Sequence, residues 1–305
     1  MRTVYRLVQI VFLVFFFGVV LARPNSGFFL PDSVDEMTIS YRSAGTLILL
    51  PVVLNDSVTV NLILDTGCRN LILFGKRFQK LFPSKQGKRV EFSGLGSGKP
   101  VVGYLTLNNK VAIQQVIGEL IPVVIVPSKN LFSMYDNVDG VIGYDIFLKF
   151  EIELNPGSQT ITFRPALRAV PPAGFTKVPL SIIDSRPIMN SAIALDSKAD
   201  KDYDLMIDTG STLGLLLKTT TMADYFDSPA GGYVIGVGLN GRISGRYITA
   251  DRLRINADLV MRLVPAAIIE SEWHNHASIG MEILKEYILV LNYCKAYACF
   301  KRMPA

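Results

Sequence analysis

Short apolar runs rich in β-branched residues alternate with polar and glycine-rich turns along most of the chain. Runs such as TLILLPVVL at 46–54 and VTVNLIL at 58–64 have the length and composition of buried β-strands. Helical stretches are few and short, the clearest being DIFLKF at 145–150 and MEILKEY at 281–287. The pattern predicts a nearly all-β protein with a few short helices.

The same order of segments occurs twice in the chain. LILDTG at 62–67 and LMIDTG at 205–210 both place an Asp directly after a run of large aliphatic residues. Downstream segments match in the same order: GLGSGKPVVG at 94–103 with GVGLNGRISG at 236–245, and 140–163 with 277–300. A repeat of this length is an internal duplication. It predicts two lobes, at residues 36–165 and 178–305, joined by a proline-rich linker at 166–177.

This arrangement resembles the aspartic peptidases, the clan of retropepsin and pepsin. It looks most similar to single-chain bacterial proteins in which both lobes are retropepsin-like. The motifs that carry the resemblance are Leu64-Asp65-Thr66-Gly67, Ile207-Asp208-Thr209-Gly210 and Val141-Ile142-Gly143, whereas Ser278-Ile279-Gly280 is a partial departure. The resemblance implies a bilobal acid-protease fold made of two duplicated retropepsin-like β-barrel lobes.

The resemblance makes Asp65 and Asp208 the catalytic pair. A buried carboxylate is costly unless it is paired or hydrogen-bonded, and neither lobe alone supplies a partner. Two carboxylates about 3 Å apart share a proton because both cannot easily ionise. One can then take a proton from a water between them while the other polarises the scissile carbonyl. This chemistry needs no metal, cofactor or covalent intermediate.

Further residues gain roles from the same resemblance. Those that support the pair are Thr66, Gly67, Thr209, Gly210 and Ser211. Each Thr hydroxyl is expected to bond across to the other lobe's turn, and each Gly lets the backbone approach the carboxylates. The glycine-rich segments are expected to form flaps that cover the cleft and bind substrate. Their glycines are Gly94, Gly96, Gly98, Gly236, Gly238 and Gly241.

One residue beside the first motif departs from the family pattern. Cys68 stands where pepsin-like enzymes carry Ser and retropepsins carry Ala, while Ser211 keeps the hydroxyl in the second copy. A Ser there donates to a carboxylate oxygen, and a thiol is a weaker donor. We therefore expect an asymmetric pair in which Asp208 ionises more readily and Asp65 is more often protonated. A buried filler and a redox-active thiol are the alternative interpretations of Cys68.

Composition and spacing argue against several other functions. The net charge is +5, but the Lys and Arg residues are scattered and form no basic run interleaved with aromatics. No nucleic-acid partner is therefore expected. GVGLNG at 236–241 matches a dinucleotide fingerprint, but the strand-like ISGRYITADRLRI follows where a helix is required. His274 and His276 have no third ligand nearby, so no metal site is predicted. The three cysteines form no disulfide framework, although Cys294 and Cys299 could face each other across a hairpin.

The N-terminus has the features of a targeting segment. Arg2 and Arg6 precede an uncharged apolar stretch of about 15 residues, shorter than the roughly 20 that span a bilayer. Residues 1–22 are therefore predicted to be a cleaved signal peptide, followed by an N-terminal segment at 23–35. The protein is expected to be periplasmic or extracellular. A retained membrane anchor is the alternative.

The sequence thus predicts a monomeric aspartic endopeptidase that hydrolyses a peptide or protein substrate lying across the cleft. A membrane partner is expected only if the N-terminal segment is retained. A catalytically silent peptide-binding protein of the same fold is the alternative function. The retention of both acids argues against that alternative.

Overall fold

The computed structural model describes residues 26–82, 87–127, 132, 135–195, 199–222, 233–271 and 276–304, with the backbone alone for residue 276. The strands of the first copy are β1 (Gly27–Phe29), β2 (Met37–Ser40), β3 (Arg42–Ala44), β4 (Leu47–Leu54), β5 (Val58–Leu64), β6 (Leu71–Phe74), β7 (Lys88–Phe92), β8 (Val101–Ile113), β9 (Val116–Val126), β10 (Gly140–Ile142), β11 (Phe150–Asn155) and β12 (Thr160–Pro165).

The second copy repeats this order. Its strands are β13 (Thr176–Pro179), β14 (Ser181–Ile183), β15 (Arg186–Ala194), β16 (Lys201–Ile207), β17 (Leu215–Thr219), β18 (Tyr233–Gly238), β19 (Gly241–Arg254), β20 (Val260–Glu270), β21 (His276–Ile279), β22 (Tyr287–Asn292) and β23 (Tyr297–Arg302). The helices are α1 (Lys76–Leu81), α2 (Tyr144–Phe147) and α3 (Met281–Leu284).

The prediction of a nearly all-β, two-lobed protein is confirmed. The apolar runs form the buried strands because their side chains fill the core of each lobe; Leu62, Ile63 and Leu64 of β5 are at most 1% exposed. Helices α2 and α3 lie at the two segments that predicted helix but end earlier, because Phe150 and Tyr287 already begin the next strands. Helix α1 was not predicted, since KRFQKL is too short for a helical period to show.

Each lobe has its own large sheet. In lobe 1 the strand order is β1-β9-β6-β10-β5-β4-β8-β7, with β3 added on β4. In lobe 2 it is β14-β15-β16-β21-β17-β20-β19-β18. In both, the strand that precedes an Asp-Thr-Gly turn runs parallel to the short strand that ends in Ile before Gly143 or Gly280. The duplicated sequence therefore builds the same framework twice.

A third sheet joins the lobes. Its order is β13-β23-β22-β11-β12-β2, so the final hairpins of the two copies lie side by side. Strand β11 pairs antiparallel with β22, with Glu153 opposite Val290 at the centre of the pairing. Because each lobe contributes strands to this sheet, the lobes are held together by main-chain hydrogen bonds as well as by side chains.

Two predicted boundaries can be compared with the strands. Strand β1 pairs with β9, so part of the predicted N-terminal segment 23–35 is built into the sheet of lobe 1. Strand β13 begins at Thr176, inside the predicted linker. The predicted signal peptide at 1–22 lies outside the described residues. Within those residues, no helix is long and apolar enough to cross a membrane.

Candidate active site

The two aspartates lie where paired strands end at the lobe interface. Strands β5 and β16 end directly before Asp65 and Asp208. The Asp65 N–H donates to the Ile142 carbonyl and the Asp208 N–H donates to the Ile279 carbonyl, each at 2.9 Å. Ser278, the partial departure in the second copy, is buried on β21 and leaves this pairing intact. The downstream Ile-Gly segments therefore fix both turns in the same way.

Thr66 and Thr209 bond reciprocally across the interface. The Thr66 hydroxyl donates to the Ile207 carbonyl and the Thr209 hydroxyl donates to the Leu64 carbonyl, each at 2.7 Å. Each hydroxyl oxygen also accepts the other Thr's N–H, at 3.0 and 3.1 Å. Both side chains are fully buried. These are the cross-lobe bonds that the resemblance implies, and they hold the two turns in a fixed relation.

The carboxyl of Asp65 lies against the turn of the other lobe. The Gly67 N–H donates to Asp65 Oδ1 at 2.7 Å, and the Gly210 N–H donates to Asp208 Oδ1 at 3.1 Å. A Cβ on Gly210 would lie only 2.4 Å from Asp65 Cγ. Any larger residue at 210 would therefore push the carboxyl of lobe 1 away from the turn of lobe 2.

Burial and the neighbouring charge change the acidity of both aspartates. Burial and then the charge of Asp208 raise the pKa of Asp65 from 3.8 to about 7. Burial also raises the pKa of Asp208, but the Gly210 N–H and the positive charges of Lys218 and Arg186 oppose that rise. Lys218 acts on Asp208 and is not among the groups acting on Asp65. The electrostatic surroundings of the pair are therefore unequal.

The residues that follow each motif make local hydrogen bonds. The Cys68 thiol donates to the Asn70 carbonyl at 2.9 Å, and the Ser211 hydroxyl accepts the Leu213 N–H at 3.3 Å. Among the described residues, neither side chain has a hydrogen bond to a carboxyl of the pair. Burial and the charge of Asp65 raise the pKa of the Cys68 thiol well above its usual value. A protonated thiol is a poor nucleophile, which weighs against the redox interpretation.

The predicted flaps are two hairpins whose tips meet. Strands β7 and β8 carry the first tip, which contains Gly94, Gly96 and Gly98, and these three glycines lie against residues 239–241 of the second tip. Gly238 at the end of β18 lies against Leu95 in return. The sixth predicted glycine, Gly236, lies on the arm of the second flap, where a Cβ would meet no atom within 4 Å.

A cavity of about 400 Å³ lies between the first flap tip and lobe 2. Gly94–Ser97, Arg242–Ser244 and Ile269–Ser271 line it. Beside it, Leu95 of lobe 1 packs on a small apolar cluster of lobe 2 that includes Leu213 and Leu216. The first flap therefore contacts the segment of lobe 2 that follows the Asp208 turn in sequence.

Three residues near the pair were not predicted from the sequence. Arg186 begins β15, and Lys218 lies on the same face of β17 as Leu216. Tyr293, between β22 and β23, is buried; its hydroxyl contacts the Thr66 carbonyl at 3.5 Å and its ring stacks on Phe147. Strand register brings these residues to the site from distant positions, and no short motif marks them.

The remaining candidates form no second site within the described residues. No group of three or more His, Cys, Asp or Glu that could hold a metal occurs in the part of the chain that the structure describes. His274 lies outside that part, and of His276 the backbone alone is described. All three cysteines are free: Cys68 is half-buried, Cys294 exposed and Cys299 buried. The open question of a Cys294–Cys299 disulfide is thus answered in the negative.

Comparison with known proteins points to one family. Residues 50–146, which hold the Asp65 turn, the first flap and the Ile-Gly segment of lobe 1, match the aspartyl protease family. No curated protein matches the chain. The second copy repeats the same turn and the same supporting hydrogen bonds at the lobe interface. The match in lobe 1 supports the resemblance of the chain to the aspartic peptidases.

Proposed function

We propose that this protein is an aspartic endopeptidase in which Asp65 and Asp208 act as one catalytic pair. The observation that carries the proposal is the meeting of the two Asp-Thr-Gly turns, joined by reciprocal hydrogen bonds of Thr66 and Thr209. The match of residues 50–146 to the aspartyl protease family supports hydrolase chemistry. Two carboxyls from separate lobes are the groups that this chemistry needs.

In this mechanism Asp208 carries the negative charge and Asp65 holds the shared proton. Lys218 and Arg186 favour the charged form of Asp208, whereas burial and the charge of Asp208 favour the protonated form of Asp65. Asp208 takes a proton from a water between the carboxyls, and that water attacks the scissile carbonyl. Asp65 donates its proton to the carbonyl oxygen as the tetrahedral intermediate forms. The pair titrates as a unit, so its two apparent pKa values belong to both acids.

The substrate is an extended segment of peptide or protein that lies beneath the flaps. Backbone groups at the flap tips bind its main chain, and the cavity beside Leu95 receives one of its side chains. The protein acts as a monomer, because both acids come from one chain. Export by a cleaved signal peptide at residues 1–22 completes the proposal, with the N-terminal membrane anchor as its alternative.

The test is a cleavage assay with a diverse peptide library. Purified protein, as processed by the expressing cell, is incubated with the library from about pH 3 to pH 8, where such a pair titrates. Mass spectrometry of the products gives the cleavage sites. Asp208→Asn and Asp65→Asn serve as controls. Cleavage that both variants lose supports the peptidase; no cleavage by folded protein at any pH supports the silent peptide-binding alternative.

A further inference from the structure

The two flap tips are hydrogen-bonded to each other. The first tip donates three backbone N–H groups to the second: Gly94 to Asn240 Oδ1 at 3.0 Å, Ser97 to the Arg242 carbonyl at 3.1 Å and Gly98 to the Asn240 carbonyl at 2.6 Å. In return, the Asn240 N–H donates to the Leu95 carbonyl at 3.0 Å. The Asn240 side-chain amide donates to the Gly98 carbonyl at 3.3 Å.

Asn240 is the centre of this contact. Both its main chain and its side chain bond to the first tip, and only 5% of the residue is exposed although it lies at the end of a hairpin. A buried amide with all these bonds made is unusual at a loop tip, where polar side chains normally face water. The first tip thus forms a socket, residues 94–98, that Asn240 fills.

The contact between the two flap tips is asymmetric at matched positions of the duplication. In the aligned flap segments, Asn240 of the second copy corresponds to Gly98 of the first. A Cβ on Gly98 would lie 2.1 Å from the Asn240 carbonyl oxygen, so the socket has no room for a side chain there. Gly98 is therefore required for the close approach of the first tip to the main chain of Asn240.

We propose that Asn240 locks the two flap tips together, so that substrate is admitted only after this lock opens. The bonds that an extended peptide would find at the first tip are already made by Asn240. Internal segments of a substrate cannot pass between joined tips, which makes release of Asn240 a required step before binding. The consequence for catalysis rests on the proposed peptidase function, but the lock itself does not.

Hydrogen exchange at single-amide resolution tests the lock without any use of activity. The full-length protein carries Asp208→Asn, so that cleavage plays no part. Asn240→Ala removes the acceptor of Gly94 but leaves the backbone carbonyls that accept the Ser97 and Gly98 N–H groups. Thr249→Ala, an exposed position farther along β19 where that strand pairs with β20, is the matched control.

The lock predicts that Asn240→Ala accelerates hydrogen exchange of the Ser97 and Gly98 amides at least tenfold. The strands of the third sheet, which joins the lobes, should keep their protection. Gly98→Ala, which forces the tips apart, should do the same. Acceleration of Gly94 alone would show that the side chain makes a bond without locking the flaps. Tip amides that already exchange in the parent protein as fast as an unstructured peptide would overturn the proposal outright.

Discussion

The two lobes share the geometry of their turns and differ in what surrounds them. Each aspartate accepts a Gly N–H, donates its own N–H to an Ile carbonyl and is followed by a Thr that bonds across the interface. The two positive groups that oppose the rise in pKa of the aspartates, Arg186 and Lys218, both belong to lobe 2. By strand register, Arg186 corresponds to Leu47 and Lys218 to Phe74 in lobe 1. The comparison teaches that chemistry constrains the turn itself, while the second layer around it is free to diverge.

Replacing either acid tests whether the two turns act as one unit. Asp65→Asn and Asp208→Asn should each reduce peptide cleavage by at least about 10²-fold, because each removes either the general acid or the general base. The double variant should be no worse than the weaker single one, since the pair acts jointly. Steady-state cleavage of a peptide identified in the library assay measures this. Substantial activity in either single variant would show that cleavage does not require both aspartates.

The Thr residues test the symmetry of the interface. Thr66→Ala removes one hydroxyl and leaves the Ile207 carbonyl and the Thr209 N–H buried without their partner. We expect a loss of about 2–4 kcal/mol in the free energy of unfolding. Thr209→Ala should cost a similar amount, and Thr66→Ser, which keeps the hydroxyl, much less. Urea denaturation measures these differences, and markedly unequal costs would show that the interface is not symmetric.

The raised pKa of Asp65 predicts a particular pH dependence of stability. Its folded-state pKa of about 7 exceeds the ordinary 3.8, so the native state holds a proton that the unfolded chain releases. Stability should therefore fall by roughly 2–4 kcal/mol as pH rises from about 4 to 7. In Asp65→Asn this part of the fall should be absent. Denaturation of both proteins at several pH values gives the comparison, and parallel curves would contradict it.

Arg186→Leu gives lobe 2 the residue that lobe 1 has at the matched position. Arg186 lowers the pKa of both aspartates, so its loss should raise both. The acid limb of the pH profile for cleavage should move up by roughly half to one pH unit. Arg252→Leu, which removes a positive charge from β19 of the same lobe where Arg252 pairs with Asp200, is a control for net charge. An equal shift in that control would mean that net charge, not proximity, is the cause.

Cys68→Ser makes the residue after the first motif the same as Ser211 of the second. The hypothesis of a missing hydroxyl donor predicts a shift of the acid limb to lower pH. Because Cys68 and Ser211 both bond to nearby backbone, we expect this shift to be smaller than that of Arg186→Leu. The pH profile of the purified variant measures it. If the profile does not shift, Cys68 is not a cause of the difference in acidity between the two aspartates.

Much of the fold could be predicted from the sequence because the duplication repeats each signal. The strands before Asp65 and Asp208 and the helices after Gly143 and Gly280 follow from local pattern. The third sheet could not, since pairing of β11 with β22 depends on how two lobes meet. Asn240 could not be singled out for the same reason: its partners lie in the other flap, and local sequence contains no information about them.

The pairing of β11 with β22 shows what fusing the two copies made possible. Glu153 and Val290 occupy the same position in their copies, yet they face each other, so the pseudo-two-fold axis passes between them. In a dimer of identical chains, every residue on such an axis meets itself and must be compatible with its own copy. A single chain is free of that restriction. It keeps identical residues on the axis where reciprocity is useful, as with Thr66 and Thr209, and can specialise each of the others separately.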